Sequence, residues 1–302
     1  FYGLGVFYPE NTSNCSRRAI TVKKADQDQA GQKYWNQTWD ASPLPALWPV
    51  DSENIGSNVE RSMFSYMANA FAKYELINQN KLLVEVGCAR SAVLPLFAKK
   101  LGFQVSGIDY SPNGCEQTRL MLEREEVQGE VYCCDIFSIP DDLVERFDVV
   151  VSFGLIEHFS NTTEIMAALS RLIKPGGLIF TNVPNMHGMT GFAQKILDKG
   201  VYDIHVPLTA EAVREAHEQA GLNTVSCDYF LSTNFGVINL NSIRVYSFEW
   251  WIKKVTLAVL ARISMVAWWW ERLLGPLPVS RVFSPYINCL AIKPKNALSS
   301  LT

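Results

Sequence analysis

Leu82-Leu83-Val84-Glu85-Val86-Gly87-Cys88-Ala89-Arg90-Ser91 is the stretch on which the reading of the fold turns. Its first five residues form a short apolar run, the pattern of a strand buried on both faces of a parallel sheet. Gly87 follows at once, where a backbone without a Cβ turns tightly and lets a ligand approach. Upstream, Ser57–Ile77 sets Met63, Tyr66, Met67, Ala70, Phe71 and Tyr74 on one helical stripe. Downstream the alternation repeats, with a helix over residues 91–101 and a strand over Phe103–Asp109. Ser111-Pro112 starts the next helix as an N-cap with proline in the first turn. Strands follow at Val131–Cys134 and Phe147–Phe153. Asn161 caps a helix to Ile173, and Lys174-Pro175-Gly176-Gly177 turns the chain into a fifth strand, Leu178–Val183.

Such units predict an α/β fold, doubly wound, with a mostly parallel sheet and helices on both faces, because crossovers between parallel strands are right-handed. Ligands in this architecture bind beyond the carboxyl ends of the strands. Those ends carry Glu85 and Gly87, then Asp109, Asp135, Glu157-His158, and Asn182 to Asn185. An acid near four successive strand ends is uncommon, and it suits an adenosine-bearing cofactor. Asp109 stands where a carboxylate accepts hydrogen bonds from ribose hydroxyls, and Asp135 is placed to accept from an adenine amino group. No lysine accompanies the first turn, which excludes a P-loop.

Bulk composition agrees. The 302 residues carry a formal net charge of -3, which removes the electrostatic case for nonspecific nucleic-acid binding. With 48% hydrophobic and 19% charged residues, a large core is available and global disorder is excluded. The 7 cysteines are scattered and never spaced C-x-x-C, so neither a disulfide framework nor a metal site is expected. Scattered cysteines read as reduced thiols of a cytoplasmic protein, and with no secretory pattern in residues 1–10 the Asn-x-Ser/Thr triplets at Asn11, Asn14, Asn36 and Asn161 are expected to carry no weight.

Five motifs in order resemble one known family. Leu82–Ser91 looks like motif I of class I S-adenosylmethionine-dependent methyltransferases, and Gly107-Ile108-Asp109-Tyr110-Ser111 is similar to their second-strand motif. Cys134-Asp135-Ile136 resembles the adenine-contacting motif. Phe147–Phe159 resembles motif IV of the small-molecule branch that includes ubiquinone-biosynthesis-type enzymes, and Leu172–Asn185 matches the family's turn into strand five. Ala89 and Ser91 depart from the pattern, standing where the family usually has further glycines. The resemblance implies a seven-stranded Rossmann-like methyltransferase fold whose antiparallel sixth and seventh strands fall at Asn223–Leu231 and Tyr286–Ile292. It implies S-adenosyl-L-methionine as cofactor, held by Glu85, Gly87, Cys88, Ala89, Asp109, Tyr110, Asp135, Ile136 and Phe153.

Methyl transfer from a sulfonium asks the protein for alignment, water exclusion and, with a protonated nucleophile, removal of a proton. Histidine suits the last task. His158 directly follows strand four, His187 lies just beyond strand five, and His205 precedes a helix capped by Thr209. These three and Glu157 are the candidate catalytic residues, each weighed against a role in ordering its loop. His217, beside Glu215 and Glu218, reads as a solvated helix-face residue.

All 8 tryptophans lie outside residues 49–249. The chain therefore divides into an N-terminal extension or cap over residues 1–56, a core over 57–235 plus 284–295, and a helical insertion over 236–283 that reads as a lid. Trp35 and Trp39 either close over a ligand or pin a surface segment. In the window 250–270, Ile252, Val255, Val259, Ile263, Val266 and Trp270 recur at helical steps. Lys253, Lys254 and Arg262 would each cost about 2.5–3.5 kcal/mol at the centre of a spanning helix, so that window is not expected to cross a membrane. It reads either as a helix packed on its own domain or as an interfacial helix making peripheral membrane contact. The functional expectation is methyl transfer to a small or amphiphilic acceptor, with oxygen favoured and histidine assisting. N-methylation, a nicotinamide-dependent oxidoreductase and a non-catalytic binding module stand as alternatives.

Overall fold

A computed structural model describes residues 28–40, 43–77 and 80–295. The readings of residues 1–10, Asn11 and Asn14 lie outside the described residues.

Seven strands form one sheet: β1 (Leu82–Val86), β2 (Gln104–Asp109), β3 (Gly129–Cys133), β4 (Phe147–Phe153), β5 (Ile173–Pro184), β6 (Asn223–Phe230) and β7 (Tyr286–Ile292). Their order is β3-β2-β1-β4-β5-β7-β6. β1, β2, β3, β4 and β5 pair in parallel, while β7 runs antiparallel to both of its neighbours. The expected antiparallel sixth and seventh strands are present as the β6–β7 pair. β7 alone opposes the rest, and β6 shares the sense of the five parallel strands. Strand order reverses between β1 and β4, which is where doubly wound sheets bind ligands.

Side-chain alternation along the strands builds a core on each face. Val84, Val150, Ile179 and Cys289 face α5 (Thr162–Leu172) and α8 (Ala210–Gln219). Leu83, Val149, Val151, Phe180 and Leu290 face α2 (Asn58–Lys73) and α3 (Leu94–Leu101), where Met67, Phe71 and Phe97 are fully buried. The caps form as their residue types dictate. Ser111 Oγ accepts the Gly114 amide at 3.1 Å and opens α4 (Pro112–Arg124). Asn161 Oδ1 accepts the Glu164 amide at 3.1 Å, and Thr209 Oγ1 the Ala212 amide at 3.2 Å.

Two additions frame the core. α1 (Gly31–Asp40) lies against α4, with Ser111 Oγ donating to Asn36 Oδ1 at 2.6 Å. α6 (Met189–Leu197) and α7 (Lys199–Asp203) follow β5, and α9 (Phe248–Leu274) stands between β6 and β7. α9 turns Trp268 and Ser264 inward, and the stripe expected from its periodicity faces out. The helix carries two apolar stripes, and hydrogen bonding chooses between them. Trp268 Nε1 donates to Thr233 O at 3.0 Å, and Ser264 Oγ accepts the Phe235 amide at 2.9 Å. Both bonds satisfy backbone groups of the segment leaving β6.

Candidate active site

The site grows from the turn after β1. Gly87 takes φ +78, and Arg90 also enters the left-handed region at φ 58, so the chain doubles back over the strand end. Ser91 Oγ donates to Glu85 Oε2 and accepts the amides of Val93 at 3.2 Å and Leu94 at 2.9 Å. One hydroxyl thus fixes the Glu85 carboxyl and starts α3. Ser91 stands where the sequence departs from its expected glycine, and its role is visible only once Glu85 is placed beside it. Burial pushes the Glu85 carboxyl up to about 8, with the Ser91 bond pulling the other way.

At the end of β2, Asp109 accepts the Ala89 amide at 3.0 Å on one oxygen and the Ser111 amide at 2.8 Å on the other. Burial raises its pKa to about 6 while these amides oppose the rise. After β3, Asp135 accepts the Phe137 amide at 3.0 Å. Gly87, Asp109, Asp135 and Phe153 border a single cavity of about 450 Å³, together with Glu85, Ala89, Tyr110 and Ile136. That size lies within the roughly 300–1,000 Å³ of small-molecule sites. Cys88 stands apart from the other expected cofactor residues. Its side chain is fully buried below the turn, packed where a Cβ on Gly107 would come to 2.6 Å of Cys88 Sγ.

Trp35, Trp39 and Trp48 also line the cavity. Trp35 and Trp39 stack at 5.6 Å, and Trp35 meets the His158 ring edge-on at 4.9 Å. Asp28 ties this cover down: Trp35 Nε1 donates to it at 3.1 Å, Tyr110 donates its hydroxyl to it, and the Gln29 amide donates to His158 O at 2.9 Å. Sequence reasoning passed over Asp28, an acid in an aperiodic stretch with no motif around it. α9 contributes no lining residue.

At the end of β4, the chain brings together two of the three candidate histidines. His158 and His205 lie ring to ring at 4.5 Å. His158 Nδ1 donates to Ile204 O at 2.8 Å and His205 Nδ1 to Val201 O at 2.6 Å, so each neutral ring keeps its lone pair at Nε2. Burial holds the His158 pKa below the ordinary histidine value. It takes His205 down to about 4, with the neighbouring His158 adding to the effect. Glu157 is buried beside them, and among the described residues neither of its oxygens has a hydrogen-bond partner. Burial pushes it up to about 8. Ligand atoms of Glu157, His158 and His205 lie within 4.8 Å of one another. Cysteine spacing gave no hint of such a group, which has the donor types of a divalent-metal site.

His187 is exposed on the turn before α6 and borders no part of the cavity. His217 is fully buried, contrary to the solvated position expected of it. Its Nδ1 bonds Val213 O at 2.7 Å, one turn back on α8, and its Nε2 bonds Thr181 Oγ1 at 3.1 Å. With both nitrogens satisfied, burial is tolerated and depresses the pKa to about 4.

A doubly wound sheet with a glycine turn after β1 and acids at the carboxyl ends of β1, β2 and β3 around one cavity has the architecture of class I S-adenosylmethionine-dependent methyltransferases. Residues 56–227 match the family described as "Methyltransferase domain", and the chain belongs to that family. It is an S-adenosylmethionine-dependent methyltransferase. It is similar to the ubiquinone biosynthesis O-methyltransferase of Nitrosococcus oceani, with 23% identity over 186 residues, 59% of this chain and 71% of the relative. The enzyme of the same name from Xanthomonas oryzae is 28% identical over 154 residues, covering 50% of this chain and 57% of that one. Among solved structures, a Galdieria sulphuraria protein provisionally described as a sarcosine dimethylglycine methyltransferase aligns with a TM-score of 0.55 at 14% identity. It covers 87% of this chain and 98% of its own, a likeness that establishes the fold alone.

The cavity fits the cofactor on its own evidence. Gly87 leaves the approach free of a Cβ, which would otherwise stand 3.2 Å from Leu155 Cδ1. The Asp109 oxygens each keep a second lone pair for a hydroxyl. Bound there, S-adenosylmethionine supplies an electrophilic methyl group and its own leaving group.

Proposed function

We infer that the protein methylates a hydroxyl oxygen of a small or amphiphilic acceptor, with His158 taking the hydroxyl proton. The observation carrying this reading is the fixed tautomer of His158. Its Nδ1–H is committed to Ile204 O, which leaves a basic Nε2 on a ring that borders the cavity. The depressed pKa keeps that ring neutral, and so able to accept, at neutral pH. His205 packs against the His158 ring at 4.5 Å and restricts its plane. The tryptophans of the cover exclude water, which would compete as a nucleophile and weaken the electrostatics of the site. The names of the curated relatives support oxygen as the acceptor atom.

The test is to incubate the protein with S-adenosylmethionine labelled in its methyl group and a panel of phenols, catechols and amines, reading products by mass spectrometry. O-methylated phenols or catechols are expected. Methyl transfer confined to the amines would overturn the reading.

A further inference from the structure

The insertion between β6 and β7 presents an apolar surface that the fold leaves uncovered. α9 has 27 residues, so it is about 40 Å long. Along its outward edge Ile252, Val255, Val259, Ile263, Val266 and Trp270 are each more than half exposed. Phe192 and Ile196 on the outer side of α6 are equally bare. Single exposed apolar residues are ordinary, but a row running the length of a helix marks a docking surface.

Charge identifies what docks. Residues 236–283 hold six cations, Arg244, Lys253, Lys254, Arg262, Arg272 and Arg281, against Glu249 and Glu271; Lys253 pairs with Glu249 at 2.6 Å and Arg272 with Glu53 at 3.7 Å. The whole chain is acidic at -3, so this segment is basic within an acidic protein. Tryptophans stand at both ends of α9, and Lys254 Nζ lies 4.3 Å from the centre of the Trp250 ring. Arg262 flanks the outward stripe and indoles stand at both ends of the helix, which matches the headgroup layer of an anionic bilayer, where the rings sit at the boundary and the guanidinium meets phosphate. Among the described residues no helix is long and apolar enough to cross a membrane, so the helix would lie on the surface.

Position completes the argument. Pro184 at the end of β5 and Phe230 at the end of β6 both pair with Tyr286 at the start of β7. The segments carrying α6 and α9 therefore leave the sheet at its carboxyl edge, the edge at which the cavity lies.

We propose that α9 docks the enzyme on an anionic lipid surface, lying in the plane of the bilayer with its outward apolar face buried and its cations on the headgroups. The carboxyl edge of the sheet is then held beside the membrane. If the function proposed above holds, an amphiphilic acceptor reaches the site without crossing bulk water. Docking itself does not depend on which atom is methylated.

Flotation of the full chain with phosphatidylcholine vesicles, with and without phosphatidylglycerol, tests this without turnover. Binding to the phosphatidylglycerol vesicles is expected, weakening as salt is raised. The double variant Val259→Glu/Val266→Glu changes exposed side chains outside the cavity and should lower partitioning on the order of tenfold or more. Lys254→Glu/Arg262→Glu should lower it roughly fivefold or more for each cation lost. Affinity for S-adenosylhomocysteine, unchanged in both variants, shows that they fold. The proposal is overturned if the wild type stays with the unbound fraction, or if the variants float as well as it does. It is also overturned if sedimentation shows a wild-type dimer that Val259→Glu/Val266→Glu dissociates while neither protein binds vesicles, since the face would then belong to a second copy.

Discussion

Replacing Asp109 with Asn probes the grip on the cofactor through one carboxylate. The two Asp109 oxygens each hold one backbone amide, from Ala89 and Ser111, which fixes the plane of the group at the end of β2. Asn keeps one such acceptor and puts an NH₂ where the other stood, so one amide loses its partner and the negative charge is gone. A hydrogen bond to a charged acceptor contributes about 1.5–3 kcal/mol. At 1.4 kcal/mol per tenfold, the dissociation constant for S-adenosylhomocysteine should rise roughly 10- to 150-fold. The assay is titration calorimetry at about pH 8, where a carboxyl of pKa about 6 is ionised. A second signature comes from lowering the pH. Protonation of Asp109 below about 6 should weaken binding to the wild type and leave the Asn variant indifferent. Variant affinity within about twofold of wild type at both pH values, an effect of at most ~0.4 kcal/mol, would refute the placement of the cofactor against Asp109.

Two further outcomes follow from buried groups. Glu85 and Glu157 are raised to about 8 by burial, so the native state holds protons that the unfolded chain releases near its ordinary carboxylate values. Stability therefore falls as pH rises toward 8. The histidines oppose this fall only below about 6.5, where the unfolded chain protonates rings that the native state keeps neutral. Tm should fall between about pH 6.5 and pH 8, and Glu157→Gln should flatten that fall; a level wild-type profile by calorimetry would contradict it. Thr181→Val preserves shape on β5 but strands the buried His217 Nε2, which should cost about 1–3 kcal/mol in urea unfolding, whereas an unchanged midpoint would show that the bond is dispensable.

Strand ends were legible because they depend on local signals. Gly87 must follow a buried strand, Ser111-Pro112 must open a helix, and the acids at the carboxyl ends of β1, β2 and β3 then fall around one cavity. What stayed hidden required knowing which distant segments meet. The pairing of His158 with His205 joins positions 47 residues apart, and nothing local announces it. The burial of His217 needs Thr181 on another element. Asp28 contributes by receiving Tyr110 and Trp35, neither of which advertises a partner. α9 failed for a different reason, since periodicity reports that an apolar stripe exists and not which of two stripes faces the protein. The polar groups of Ser264 and Trp268 decided it.

These distinctions sharpen the chemistry expected of the site. A neutral His158 with its proton committed to Ile204 O acts as a base only if the ring is held, and both Trp35 and His205 hold it. The most direct measurement is the single-turnover rate of methyl transfer to a hydroxyl acceptor at saturating S-adenosylmethionine, comparing wild type with His158→Asn, which retains a donor for Ile204 O. The base assignment predicts a loss of roughly 10²–10⁴-fold with S-adenosylhomocysteine affinity intact. A variant that turns over at the wild-type rate would contradict it.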